Sequence, residues 1–169
     1  MKIKRSHVAG LALSASALVG LIAHEGYTDK AVIPVKGDRP TVGFGSTFKE
    51  DGTPVKMGDT ITPTNALARS LAHIQKDESK LKQCVTAPLL QAEYDLMVDF
   101  AYQYGTGALC KSPMVKAANA GDYAASCEGY KEYRFVAGYD CSTPGNKRCA
   151  GVWNRSLERY NTCMEAQNG

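Results

Sequence analysis

The reading of this chain turns on two short stretches: His24-Glu25-Gly26-Tyr27 and, separated from Gly26 by thirteen residues, Pro40-Thr41-Val42-Gly43-Phe44-Gly45-Ser46. An apolar run passes directly into His24 and Glu25, so a helix is expected to continue to the acid. From Ala31 onward the pattern changes. Pro34, Gly37, Pro40, Gly43 and Gly45 rule out a helix, while Val32, Ile33, Val35, Thr41, Val42 and Phe44 favour short strands. A carboxylic acid at a helix end, facing a strand that presents a hydroxyl, can supply a general acid and a water-positioning group for cleaving a glycosidic bond. The glycine-rich strand makes a poor phosphate loop, because it lacks the third glycine of GxGxxG and a Walker lysine.

Working outward, the hairpin is expected to extend through the turn signals Asp51-Gly52 and Gly58-Asp59. Helix follows from Thr62-Pro63, a hydroxyl N-cap ahead of proline at the first helical position, with Leu67, Leu71, Ile74 and Leu81 on one face. A second helix over about 90–104 carries Leu96, Met97, Phe100 and Ala101 into the core and stops at Gly105-Thr106-Gly107. Further helices are expected near 112–119, 122–135 and 152–166. The fold class is α+β, a small β-hairpin lobe plus a larger helical lobe, with the active-site cleft expected between them.

The chain has 169 residues, enough for one folded domain, and 44% apolar content with 20 basic against 17 acidic residues. That balance excludes a disordered tail and gives no sign of a nucleic-acid partner. Six cysteines (Cys84, Cys110, Cys127, Cys141, Cys149, Cys163) are many for a reducing cytosol. None is spaced as CxxC or as a Cys/His zinc box, so disulfides in an oxidising compartment are expected and no metal or other cofactor is implied. Six cysteines allow fifteen pairings, and the sequence does not choose among them. The expected placement of helices and loops favours Cys84–Cys110, Cys127–Cys163 and Cys141–Cys149.

An export signal opens the chain. Lys2, Lys4 and Arg5 precede an uncharged run from Val8 to Ala23, in which nine of sixteen residues are Ala, Gly or Ser. Such a segment inserts weakly into a bilayer. Cleavage after Ala23 would put Leu21 where a small residue is preferred and leave Glu25 on a fraying terminus. Residues 1–23 are therefore expected to stay attached as a membrane segment ahead of a folded domain, 24–169.

The pairing of Glu25-Gly26 with Pro40-Thr41-Val42-Gly43-Phe44-Gly45 resembles the start of phage-type lysozymes, glycoside hydrolase family 24. Phe100-Ala101-Tyr102-Gln103-Tyr104-Gly105 followed by Ser112 is similar to that family's central-helix segment. Gly151-Val152-Trp153-Asn154-Arg155-Ser156-Leu157-Glu158-Arg159 resembles its terminal helix. The resemblance implies a lysozyme-like fold, a muramidase acting on peptidoglycan glycan strands, Glu25 as proton donor and Thr41 as the hydroxyl opposite it. It implies Thr47, Tyr102 and Ser112 as saccharide contacts. Arg155 and Arg159 would hold the Glu25 carboxylate or an interlobe contact, unless they form only a solvated face. The family's second carboxylate is missing: the position nine after Glu25 is Pro34, and six before Thr41 is Val35. Asp38 on the hairpin turn is the nearest candidate and Asp29 a weaker one. An inverting site needs its carboxyls roughly 6.5 to 9.5 Å apart. Asp38 beside Gly37 is equally suited to stabilising its own turn.

Some exported phage lysozymes that the chain resembles carry a signal-anchor-release segment, which holds the enzyme on the inner membrane until the membrane is de-energised. The resemblance thus implies a monomer exported to the host periplasm, tethered and then released. Residues 1–23 contain no cysteine, so thiol exchange with the segment is excluded. Two other functions fit the same residues. A lytic transglycosylase needs no water-activating carboxylate, and a catalytically inactive wall-binding protein needs no acid at all.

Overall fold

Ser14 divides the N-terminal apolar run, because its hydroxyl accepts the Ala17 amide at 3.1 Å and caps helix α1, Ala15–Glu25. The helix therefore reaches Glu25 but does not extend back to Val8, which lies in a single 3-10 turn, Val8–Gly10, followed by extended chain. Among the described residues no helix is long and apolar enough to cross a membrane. The structure, a computed structural model, describes residues 4–34 and 37–169. Lys2 and Val35, assigned above to the cationic start and to a strand, lie outside the described residues.

The chain forms two compact units. One is Ser14–Glu78; the other combines the N-terminal residues up to Leu13 with Ser79–Gly169. In the first, β1 (Thr28–Val32) and β2 (Thr41–Gly43) pair antiparallel, with Thr28 opposite Gly43, Val32 opposite Thr41 and an irregularity between them. The free edge of β1 is covered by the 59–61 segment: Ala31 donates to the Asp59 carbonyl and Ile61 to the Asp29 carbonyl, each at 2.9 Å. The strand thus starts at Thr28, three residues before the Ala31 expected from composition. Ala31, Val42, Val55, Ile61 and Ala66 make the core, with Phe44 packed against it.

Helix α2, Pro63–Cys84, begins after the expected cap, with the Asn65 amide donating to Thr62 Oγ1 at 3.3 Å. Its buried face differs from the expected leucine stripe. Ala66, Ser70, Ile74 and Leu81 are buried and Leu67 is exposed. The cause is the strand below: a β-carbon built on Gly43 would stand 2.9 Å from Ala66 Cβ, so backbone and helix meet where only small residues fit. Arg69 on α2 donates Nε and Nη2 to Glu50 at 2.9 and 2.8 Å. A backbone hydrogen bond at Glu50, together with this guanidinium, holds its carboxyl below the usual range.

The second unit is built on α3, Gln91–Tyr104, whose Tyr94, Met97, Val98, Phe100 and Ala101 are buried. Gly105, at φ 85°, ends it, but the chain does not pause there: α4, Thr106–Lys111, opens at once, with Leu109 donating to the Gly105 carbonyl. α5, Pro113–Asn119, is capped by Ser112, and α6, Tyr123–Gly129, by Asp122. The helix expected over 122–135 is cut short at Gly129, where a β-carbon would meet the Met114 amide at 3.0 Å. A 3-10 turn follows, then the hairpin of β3 (Phe135–Val136) and β4 (Tyr139–Asp140) around Ala137-Gly138, both at positive φ. Helix α7, Ala150–Asn168, closes the fold. Phe100, Tyr104 and Tyr133 pack in tilted and edge-on arrangements with ring centroids 4.5 to 5.4 Å apart.

Three disulfides hold this unit: Cys84–Cys110, Cys127–Cys163 and Cys141–Cys149, with Cα separations of 5.6, 5.5 and 5.2 Å. Cys127–Cys163 joins α6 to α7 across 36 residues, so it restricts the unfolded chain more than the 8-residue Cys141–Cys149 loop does. Replacing Cys127 and Cys163 together by alanine should lower the unfolding free energy by about 2–4 kcal/mol. The measurement is the urea midpoint of the double variant; a midpoint equal to that of the parent would mean packing alone holds α6 against α7.

Candidate active site

Glu25 is the last residue of α1, and Gly26, at φ 68°, turns the chain sharply from the helix toward β1. The Glu25 side chain is half-buried. Its carboxylate lies over the turn that follows β2, since a β-carbon added to Gly45 would be 3.2 Å from Glu25 Oε2. That turn is closed on itself: Val42 donates to the Ser46 carbonyl at 3.0 Å and Ser46 returns the bond to Val42 at 3.1 Å. Phe44 points back to the core, its ring 5.5 Å from that of Tyr27, whose hydroxyl donates to the Ile61 carbonyl at 2.8 Å. Each residue of Gly43-Phe44-Gly45 therefore has its own task. Gly43 admits α2, Phe44 anchors the turn, and Gly45 leaves room for the acid.

Thr41 opens β2 opposite Val32, and its hydroxyl reaches the Val32 carbonyl only at 3.5 Å, the outer edge of a hydrogen bond. Asp38 sits on the exposed turn before it, with Oδ1 accepting the amide of the next residue, Arg39, at 2.8 Å. Asp29 is exposed on β1. Thr47 is half-buried and its carbonyl accepts the Val55 amide.

In the helical unit, Arg155 and Arg159 converge on one carboxylate that sequence reasoning passed over. Arg155 Nη2 donates to Asp99 Oδ1 at 2.8 Å, and Arg159 Nε to Asp99 Oδ2 at 2.6 Å. Arg159 Nη2 also donates to Gln103 Oε1 at 2.7 Å. Arg159 is 2% exposed, with its guanidinium 5.6 and 5.8 Å from the Phe100 and Tyr104 ring centroids. It is thus part of the core and not of a solvated face. A signal for Asp99 was present: one acid in the apolar middle of a helix, four residues before Gln103, needs a partner if it is buried. Tyr102 is half-buried on the same helix. Ser112 is 1% exposed, and its hydroxyl accepts the Val115 amide at 3.2 Å, so its evident task is to cap α5. Among the described residues no three His, Cys, Asp or Glu side chains converge to hold a metal.

A helix-end acid over a glycine turn, in a small antiparallel sheet unit, together with a disulfide-linked helical unit, defines a lysozyme-like α+β protein. The chain belongs to the phage lysozyme family, whose model matches residues 22–159. The endolysin of Salmonella phage P22 is 29% identical over 118 residues, 70% of this chain and 80% of that one. The endolysin of Acyrthosiphon pisum secondary endosymbiont phage 1 is 31% identical over 120 residues, 70% and 78% of the two chains. The solved endolysin from Escherichia coli O157:H7 phage FAHEc1 superposes with a TM-score of 0.78 at 26% identity, covering 93% of this chain and 96% of that one. The family makes this chain a cell-wall lytic hydrolase with peptidoglycan as its substrate.

The two glycines of the turn should respond differently to a methyl group. Gly45→Ala places a β-carbon against the Glu25 carboxylate, whereas Gly43→Ala presses on Ala66; both also incur about 1–2 kcal/mol for positive φ. Gly45→Ala is expected to slow the clearing of permeabilised cells by more than tenfold while its thermal midpoint falls no further than that of Gly43→Ala. Parallel losses of activity and stability in both variants would reduce Gly45 to a backbone requirement.

Proposed function

We propose that the chain is a muramidase that hydrolyses the β-1,4 bond between N-acetylmuramic acid and N-acetylglucosamine, with Glu25 as its general acid. The observation that carries this reading is the Glu25 carboxylate held over the 42–46 turn, beside the strand that begins at Thr41. Glu25 gives its proton to the glycosidic oxygen as the bond to the anomeric carbon breaks. A water positioned by the Thr41 hydroxyl adds to that carbon and passes its proton to a carboxylate, for which Asp38 is the candidate. Thr47 and Tyr102 are assigned to saccharide contact, Tyr102 offering a ring face to a sugar. Ser112, committed to its cap, and the Arg155 and Arg159 pairs with Asp99 are assigned to positioning.

The same reading places the enzyme in the host periplasm as a monomer, first tethered to the inner membrane by an uncleaved residue 1–23 segment and then released. The support is compositional: a cationic start, then an uncharged run rich in small residues that leads into α1. A second reading, a lytic transglycosylase, is favoured by one observation, the engagement of Asp38 in its own exposed turn.

Glu25→Gln should reduce clearing of permeabilised cells by about 10²–10⁴-fold without changing the melting curve. Clearing at the parent rate would leave only an inactive wall-binding role. Mass analysis of the products separates the two chemistries: reducing N-acetylmuramic ends support hydrolysis, and anhydro-muramyl ends support the transglycosylase. For the tether, the combined variant Ala9→Leu, Gly10→Leu, Ser14→Leu and Ser16→Leu should stay in the membrane after depolarisation. Wall degradation that still begins on depolarisation would show that the segment need not leave.

A further inference from the structure

Residues 4–13 precede the family-matched range, yet they are bound closely to the helical unit. Arg5 donates Nε and Nη2 to the two oxygens of Glu93 at 3.2 and 2.8 Å, a bidentate pair. Glu93 is 4% exposed and also accepts the Leu90 amide at 2.8 Å, at the first turn of α3. The Arg5 guanidinium lies 3.5 Å above the Tyr123 ring, and the Tyr123 hydroxyl donates to the Pro88 carbonyl at 2.9 Å. Ser6 and Leu89 exchange both backbone hydrogen bonds, each at 2.8 Å. Val8 is 4% exposed, and Gln91 Nε2 donates to the Ala12 carbonyl at 2.8 Å.

We propose that residues 4–13 are a strap of the folded enzyme, latched by the Arg5–Glu93 pair, so that the export segment's own cation is the counter-ion of a buried carboxylate in the helical unit. Glu93 satisfies the start of α3, the helix that carries Asp99, Tyr102 and Gln103 farther along. Without Arg5, that carboxylate would be buried with no cation paired to it among the described residues, an arrangement that strongly disfavours the packed state. The strap therefore both completes the unit and depends on it. One consequence rests on the tether proposed above. In a membrane-inserted segment Arg5 stays on the cytoplasmic side, so the same guanidinium cannot also reach Glu93. Insertion and latching then exclude each other through one residue, and leaving the membrane is what gives Glu93 its partner.

The test is amide hydrogen exchange on the purified full-length chain, read at Ser6 and Leu89, with the α7 amides as an internal reference. Arg5→Ala and Glu93→Gln should each speed exchange at both amides by at least tenfold while α7 is unchanged. Combining them should add less than the product of the two effects, because both remove one interaction. Arg5→Ala removes a side chain that is 27% exposed, so it keeps the test open should Glu93→Gln fail to fold. Unchanged exchange at Ser6 and Leu89 in Arg5→Ala, or fully multiplicative effects in the double variant, would overturn the latch. So would intact-mass analysis showing that active enzyme recovered from cells lacks residues 1–13. Fractionation before depolarisation addresses the tether separately. A full-length chain that is soluble from the start, yet protected at Ser6, would remove the tether and leave the latch in place.

Discussion

Two missing side chains, at positions 43 and 45, set the geometry on which the sheet unit and its acid depend. At 43 the strand backbone comes so close to α2 that even a methyl group would overlap Ala66. At 45 the same short turn passes beneath the Glu25 carboxylate. Because both glycines have positive φ, the turn can reverse within five residues and close through the reciprocal Val42 and Ser46 hydrogen bonds. Phe44 between them ties the turn to the core that Ala31, Val42, Val55 and Ile61 form. The acid is thus positioned by backbone geometry, with α1 delivering it from one side and a rigid turn meeting it from the other.

A different constraint governs the helical unit. Its central helix, α3, carries two carboxylates paired with arginines, the buried Glu93 in its first turn and the half-buried Asp99 in its middle, and each is neutralised from a distant part of the chain. Arg5 is 88 residues from Glu93; Arg155 and Arg159 are 56 and 60 residues from Asp99. Removing one member of such a pair leaves the other charge partly or wholly buried without its partner, which disfavours the packed state. The N-terminal strap and the C-terminal helix are therefore conditions for α3 to pack. The Cys127–Cys163 disulfide ties α6 to α7, and the Phe100 and Tyr104 rings lie beside the Arg159 guanidinium.

The parts of this arrangement legible in the sequence were those written in local signals. Thr62-Pro63 announces α2 because cap and proline act within one turn, and Leu96, Met97, Phe100 and Ala101 at helical spacing announce α3. What stayed illegible depended on residues far apart. Leu67 looks like a core residue until Gly43 brings the strand close enough that Ala66 takes the contact. Gly105 looks like an end, yet it ends one helix and supplies the first acceptor of the next. Tyr130 to Phe135 reads as helix, but the chain tightens into a 3-10 turn after Gly129, a position where Met114 leaves no room for a side chain, and the Ala137-Gly138 reversal lacks the asparagine or aspartate that usually marks such a hairpin. For the site, Glu25 and the glycine turn were legible as a motif, whereas Asp99, conspicuous as a lone acid in the apolar middle of a helix, had partners on α7 that no local signal names.

The N-terminal run shows how one composition can serve two environments. A segment that passes into a bilayer needs apolar residues all round, whereas the folded chain must not present them to water. In the folded state the residues from Val8 to Ala23 sort by size: Val8 and Leu21 are buried, Leu11, Leu13, Leu18 and Ile22 are half-buried, and the exposed positions are Ala9, Gly10, Ala12, Ala15, Ser16, Gly20 and Ala23, with Val19 the one large exception. Small side chains cost little when exposed, since hydrophobic driving force scales with apolar area. They also weaken insertion by the same reasoning. Ser14 adds a structural demand, because its hydroxyl begins the helix that ends in Glu25. The abundance of Ala, Gly and Ser in this run is therefore what a water-exposed folded state requires, whether or not the segment first enters a membrane. Composition alone does not separate the two demands. The burial pattern does, because a segment made only for lipid would have no reason to sort its larger side chains away from water.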